Sequence, residues 1–272
     1  MSVASEKRAT FRRLHESGCF VIPNPWDVGS ALYLQGLGFK ALATTSAGCA
    51  WAAGCADGDL TRDAALAHFA QLAAATSVPL NADFEGGFAD APEALAASVR
   101  LCVGTGVAGL SIEDYTGNDE NPLYELELAV ARIRAARGAI DQAGGEVLLT
   151  GRSEGFIRGR PDLKETLRRL EAYAAAGADC LYAPGLTTPE QISAVVKAVA
   201  PKPVNLLVGG PSPLTVKDIA ELGVRRISVG GALARAAWGG FMRTARQIAE
   251  AGTFDGFADA APGSEINEAF RG

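Results

Sequence analysis

The sequence predicts a (β/α)8 TIM barrel, on three observations. Eight short apolar or β-branched runs alternate with longer amphipathic ones, the signature of parallel strands each followed by a helix. Several helix-like runs finish in glycine just before the next strand, as in "GTGVAG", "AAGAD" and "ELGVRR", the C-cap of an α-to-β turn. Strand one leads into "NPWDVGSA", which lacks the glycine-rich phosphate turn that usually marks the alternative, a doubly wound sheet.

Taken in order, "MSVASEKRATFRRLHESG" opens the chain as a charged helix over about 3–17, with no signal-peptide core. The eight strand runs are "CFVIP" 19–23, "KALATT" 40–45, "VPLNAD" 78–83, "AGLSIED" 108–114, "EVLLTGR" 146–152, "ADCLYAP" 178–184, "KPVNLLV" 202–208 and "RRISVGG" 225–231. Clear helices lie at 61–76 and 162–178. In the second, Leu163, Leu167, Leu170, Tyr173 and Ala174 share one face. The stretch after strand two, "TTSAGCAWAAGCADGD", reads as a loop. Residues 232–252 read as a long helix interrupted at Gly239–Gly240, a pair placed to act as a hinge. The tail, 253–272, adds a helical turn or two outside one barrel domain that spans 1–272.

Composition narrows the class. With 272 residues and 48% hydrophobic content the chain can bury a large core. A net charge of −6 supplies no basic face for nucleic acid. No apolar run reaches the ~20 residues needed to span a bilayer, so a cytoplasmic protein is expected. The five cysteines (Cys19, Cys49, Cys55, Cys102 and Cys180) show no CxxC spacing and read as reduced thiols. The two histidines, His15 and His68, fall in helical patterns, so no zinc site is expected.

Active sites of such barrels sit at the C-terminal strand ends and the loops beyond. Strand two runs on to Asp57 and Asp59. Strand three ends at Asp83 with Glu85 beyond, strand four at Glu113 and Asp114, and strand five at Arg152 with Glu154 beyond, while strand seven carries Asn205. Carboxylates on neighbouring strands, about 4.8 Å apart, repel unless neutralised. A hard divalent cation answers this, Mg²⁺ first and Mn²⁺ as the alternative; the other reading is solvated loop acids, or acids paired with an arginine. Arg152 offers a bidentate fork for a substrate carboxylate. No lysine falls at a strand's C-terminal end, which disfavours Schiff-base chemistry, and no histidine is placed as general base. "VGGPS" 208–212 and "VGGAL" 229–233 resemble barrel phosphate loops, although glycine pairs are also plain turn chemistry.

The motifs "NPWDVGSA", "TTSAG…ADGD", "NADFEGGF", "SIEDYTG", "GRSEGF" and "PVNLLV", in this order, resemble the isocitrate lyase/phosphoenolpyruvate mutase superfamily over about residues 19–250. The resemblance implies an Mg²⁺-dependent lyase, decarboxylase or hydrolase that cleaves a C–C bond in a small 2-oxo or 2-hydroxy di- or tricarboxylate through an enolate. The alternatives are a C–P bond enzyme, either a phosphonomutase or a phosphonopyruvate hydrolase, and a non-catalytic 2-oxo-acid binder. It further implies that Thr44, Thr45, Ser46 and Ala47 form an oxyanion loop, and that Trp26, Arg152 and Asn205 contact substrate. Asp57, Asp83 and Glu113 would surround the metal, with Glu85 as a further candidate ligand, and Arg152, Glu113 and Asp57 would be the catalytic set. A homo-oligomer that exchanges its last helix is implied as well. Two departures stand out. The family's metal motif Asp-x-Asp is here Asn81-Ala82-Asp83, and the Lys-x-Cys-Gly-His loop after strand four is replaced by "YTGNDENPLYELE", without Cys, His or Lys.

Overall fold

The computed structural model describes residues 2–271. Its strands are β1 Phe20–Ile22, β2 Leu42–Ala43, β3 Leu80–Asp83, β4 Gly109–Glu113, β5 Leu148–Arg152, β6 Cys180–Tyr182, β7 Val204–Leu207 and β8 Arg226–Ser228. All pair in parallel, and β1 pairs with β8. At the β1–β2 seam the Ala43 N–H donates to the Pro23 carbonyl at 3.1 Å, and this bond nearly closes the barrel. Each strand lies inside the run expected for it, and the (β/α)8 barrel is observed.

The helices in order are α1 Val3–Leu14, α2 Val28–Gly36, α3 Ser46–Ala52, α4 Arg62–Ala75, α5 Pro92–Gly104, α6 Leu126–Gln142, α7 Leu163–Ala175, α8 Pro189–Val199, α9 Val216–Glu221, α10 Ala232–Ala251 and α11 Gly263–Ala269. A 3₁₀ turn at Asp255–Asp259 precedes α11. Oxygen side chains start most of them: Asp27, Thr45, Thr61, Asp162, Thr188 and Thr215 each accept an N–H of the first turn. On α7, Leu170 and Tyr173 are buried as the helical spacing predicts.

Helix α1 plugs the N-terminal end of the barrel. Its Phe11 is fully buried, and a Cβ on Gly109 would lie 2.6 Å from that ring, so only glycine fits there. Lys7 Nζ donates to the Ala73 and Thr76 carbonyls and caps the end of α4. Two expectations are corrected. The stretch after β2 contains a helix, α3, because Thr45 caps it through the Gly48 N–H at 3.3 Å. Helix α10 runs unbroken through Gly239 and Gly240. Glycine lowers helix propensity by about 1 kcal/mol but removes no hydrogen bond, so the pair makes no hinge here.

Candidate active site

The site grows from the end of β3. The Asp83 N–H donates to Thr44 Oγ1 at 2.8 Å, and the Ser46 N–H donates to Asp83 Oδ2 at 3.1 Å. Strand end, the β2–α3 turn and the start of α3 are thereby fixed to one another. On the other side, Arg152 at the end of β5 reaches Asp83 Oδ1 at 3.2 Å and Glu113 Oε2 at 3.3 Å, and its Nε also donates to Glu154 Oε1. The guanidinium lies over the Tyr182 ring, 5.0 Å from its centroid. Arg152 is therefore already engaged by three carboxylates and is not an open fork.

Beyond β3, Glu85 takes φ +49°, uncommon for a residue with a side chain. Two contacts keep the turn in place. The Glu113 N–H donates to the Glu85 carbonyl at 3.0 Å. The Gly87 N–H donates to the Phe84 carbonyl at 2.8 Å, at φ +73°, where a Cβ would come within 2.0 Å of the Leu95 side chain. Burial, with Asp83 and Asp57 adding repulsion, pushes the Glu85 carboxyl up to about 7. Burial also raises Glu113 well above the carboxylate range, against the pull of Arg152. Asp57, exposed at the rim, is raised by partial desolvation and by Asp83. Negative charge is thus in excess at this mouth.

Two connected spaces result. The outer one, about 700 Å³, is lined by Asp57, Glu85, Glu113, Tyr115, Arg152 and Arg158. The inner one, about 170 Å³, descends into the barrel between Thr44–Ala47, Asn81, Asp83, Ser111, Asn205 and Ser228, with Arg226 also in its wall. Ser46, Asp57 and Arg152 border both.

The structure brings together Thr44, Thr45, Ser46, Ala47, Asp57, Asp83, Arg152 and Asn205 around the inner space, and Glu85 and Glu113 around the outer one. Asn205 is held firmly: its Oδ1 accepts from Arg226 Nε at 2.8 Å and its Nδ2 donates to Ser228 Oγ at 2.9 Å. Trp26 falls elsewhere, in an apolar outer pocket with Tyr33, Leu34, Ile266 and Phe270. Asp114 faces away from the mouth and is consumed by Arg169, Tyr173 and the Glu154 N–H. The Cys49 thiol is pushed up to about 11 by burial and Glu85, so it offers no thiolate. Sequence reading missed Asn24. Its Nδ2 donates to the Thr44 carbonyl, while its Oδ1 accepts the N–H groups of Val229 and Gly230, so it joins the ends of β1, β2 and β8. Its position just past a strand, before proline, was the available signal. It also missed Arg226, which stands at the start of a strand rather than its end.

Among the described residues no three His, Cys, Asp or Glu side chains converge on one point as a metal cage. Mg²⁺ needs only one or two direct carboxylates and keeps its waters. Crowded carboxylates whose protonation is favoured by burial first and by their own repulsion second are a donor set that such a cation suits.

Residues 11–249 match the profile of the phosphoenolpyruvate phosphomutase family. An uncharacterized protein of Mycobacterium tuberculosis is 37% identical over 225 residues, 81% of each chain. A provisionally designated lyase/mutase of Burkholderia cenocepacia, solved by crystallography, is 46% identical with a TM-score of 0.96, covering 100% of this chain and 98% of its own. The structure of oxaloacetate acetylhydrolase with its product oxalate is 26% identical with a TM-score of 0.86, covering 97% and 94%.

Proposed function

The chain belongs to the phosphoenolpyruvate phosphomutase family and is an enzyme of the phosphoenolpyruvate mutase/isocitrate lyase superfamily; on that premise we propose that it cleaves a C–C bond next to the 2-oxo group of a small dicarboxylate, with Mg²⁺. The observation that carries the reading is the acid-rich outer space above a narrow inner one. An inner volume near 170 Å³ is well below the ~300–1,000 Å³ of sites for drug-sized ligands, which favours three- or four-carbon acids.

The substrate's 2-oxo acid end would lie against Thr44–Ala47, where Ala47 borders the inner space at the start of α3 while the Ser46 N–H is given to Asp83. Mg²⁺ on Asp83 and its waters, with Asp57 and Glu113 nearby, would supply Lewis-acid stabilisation of negative charge on that oxygen. Arg152, immobilised by Asp83, Glu113 and Glu154, orients these acids and keeps a positive charge at the boundary between the two spaces. Glu85, raised to about 7 chiefly by burial, is suited to hold or release a proton near neutral pH, and no Cys or His is among the described residues lining the outer space. The match to a phosphomutase profile motivates the second reading, a C–P enzyme acting on phosphonopyruvate.

The test is a screen with Mg²⁺ against oxaloacetate, isocitrate, 2-methylisocitrate and phosphonopyruvate, following pyruvate, glyoxylate and oxalate, with phosphorus NMR for the last substrate. Turnover of a four-carbon acid, and none of the six- and seven-carbon acids, is expected. Turnover of phosphonopyruvate alone establishes the second reading; no turnover of any acid contradicts both.

A further inference from the structure

Arg226 is a cation inside the barrel with no anion beside it. It is 3% exposed, yet it forms part of the wall of the inner space. Register explains its depth. Glu113, Arg152, Tyr182, Asn205 and Arg226 are successive partners across β4 to β8. In a barrel of tilted strands such a line moves along the axis, so it starts at the mouth with Glu113 and ends at the floor, where Arg226 meets His15 of the plug.

All of its partners are neutral. Nε donates to Asn205 Oδ1 at 2.8 Å, one Nη2 N–H to Thr150 Oγ1 at 3.1 Å, and one Nη1 N–H to His15 Nε2 at 3.4 Å. Nδ1 of His15 is 2.7 Å from the Phe11 carbonyl, to which it donates, so Nε2 is the accepting nitrogen. Burial and Arg226 itself push His15 down to about 3, and burial raises the nearby Cys180 thiol. Neither supplies a counter-charge. No Asp or Glu lies within 4.0 Å of the guanidinium among the described residues. Of the five N–H donors of a guanidinium, the three bonds above leave one on each terminal nitrogen unused. Buried charges are ordinarily paired. This one has free donors and borders a cavity that opens to the acid-lined mouth.

We propose that Arg226 makes the floor of the inner space a subsite for the second carboxylate of the substrate, and so selects diacids over monoacids. The inference rests on the 2-oxo-acid reading above and adds a specificity residue to it. The mouth takes the 2-oxo acid end; the floor takes the far carboxylate, whose charge Arg226 balances. Binding a dianion then removes an unpaired buried charge, whereas a monoacid leaves it in place.

The experiment is calorimetric titration, with Mg²⁺ present, of pyruvate and of mesoxalate, which is pyruvate with a carboxylate in place of the methyl group. The wild type is expected to bind mesoxalate about tenfold or more tightly than pyruvate, the scale of one charge-assisted hydrogen bond. Arg226→Met, folded by circular dichroism, is expected to lose that preference, its mesoxalate affinity falling about tenfold or more beyond any fall in its pyruvate affinity. Arg226→Lys, which keeps the charge, is expected to retain part of it. Equal affinities in the wild type, or a preference that survives in the Met variant, overturn the subsite and leave the 2-oxo-acid reading standing. If the Met variant does not fold, the wild-type comparison and the Lys variant decide. Failure of the wild type to bind either acid overturns the 2-oxo-acid reading and the subsite with it.

Discussion

Asn81 stands where the superfamily motif places a first carboxylate, and the structure shows why a charge does not suit it here. It is 4% exposed, its Nδ2 donates to the Ala82 carbonyl at 3.1 Å, and it lies one pleat below Asp83. Asn81→Asp exchanges that donor for a buried anion facing a carbonyl. The variant is expected to lose about 2 kcal/mol, several degrees in Tm, without tighter Mg²⁺ binding; calorimetry showing tighter Mg²⁺ with an unchanged Tm contradicts this. His15 makes a second residue-level prediction. Its native pKa is lowered to about 3, chiefly by burial, against about 6.5 unfolded. Between those values the unfolded chain binds a proton that the native state refuses. Its contribution is therefore complete above pH 6.5 and falls as the pH drops, by about 2 kcal/mol at pH 5. His15→Gln is expected to lose that much less stability between pH 7 and pH 5 in urea titrations, and an unchanged difference contradicts the assignment. His15 was legible only as a helical residue, because what it faces depends on β8, more than 200 positions away.

The loop between β3 and α5 presents Glu85 to the outer space. Arg132, reaching over from α6 and 1% exposed, donates to the carbonyls of Gly86, Ala89 and Asp90 and stacks on Tyr124, 4.3 Å from the ring centroid. Those bonds hold the turn that presents Glu85. Arg132→Ala is expected to cost about 3 kcal/mol, roughly 8 °C in Tm, from three lost bonds to a charged donor. Proteolysis at residues 86–90 is expected to accelerate; wild-type Tm and cleavage rate contradict the clamp. At this scale the sequence was a good guide. Alternating runs placed all eight strands, and the strand-end rule found Asp83, Glu113 and Arg152. It failed where side chains turn away from the axis, as Asp114 does toward Arg169 and Tyr173. It also failed for Arg226, since a residue at a strand's start reaches the site only through the barrel's stagger.

Across the whole molecule the apolar surface is unevenly distributed. Only Ala234 of α10 is buried, while Trp238, Phe241 and Met242 are 38%, 63% and 41% exposed. Phe254 and Phe257, on the turn that folds back toward α10, are also exposed. A helix of that character needs a partner surface, and we propose that copies of the chain supply it. Light scattering at micromolar concentration is expected to give a multiple of the monomer mass, reduced by Phe241→Glu; a monomeric wild type contradicts it. No helix among the described residues is long and apolar enough to cross a membrane. In the proposed function, the acids around Asp83 serve metal-assisted cleavage of a small 2-oxo acid. Its most direct test is the oxaloacetate turnover of wild type and Asp83→Ala, each with Mg²⁺ and with EDTA. Activity is expected only in the wild type with Mg²⁺, with a loss of roughly 100-fold or more in the variant while its circular dichroism is unchanged; full activity of Asp83→Ala in EDTA would rule the metal role out.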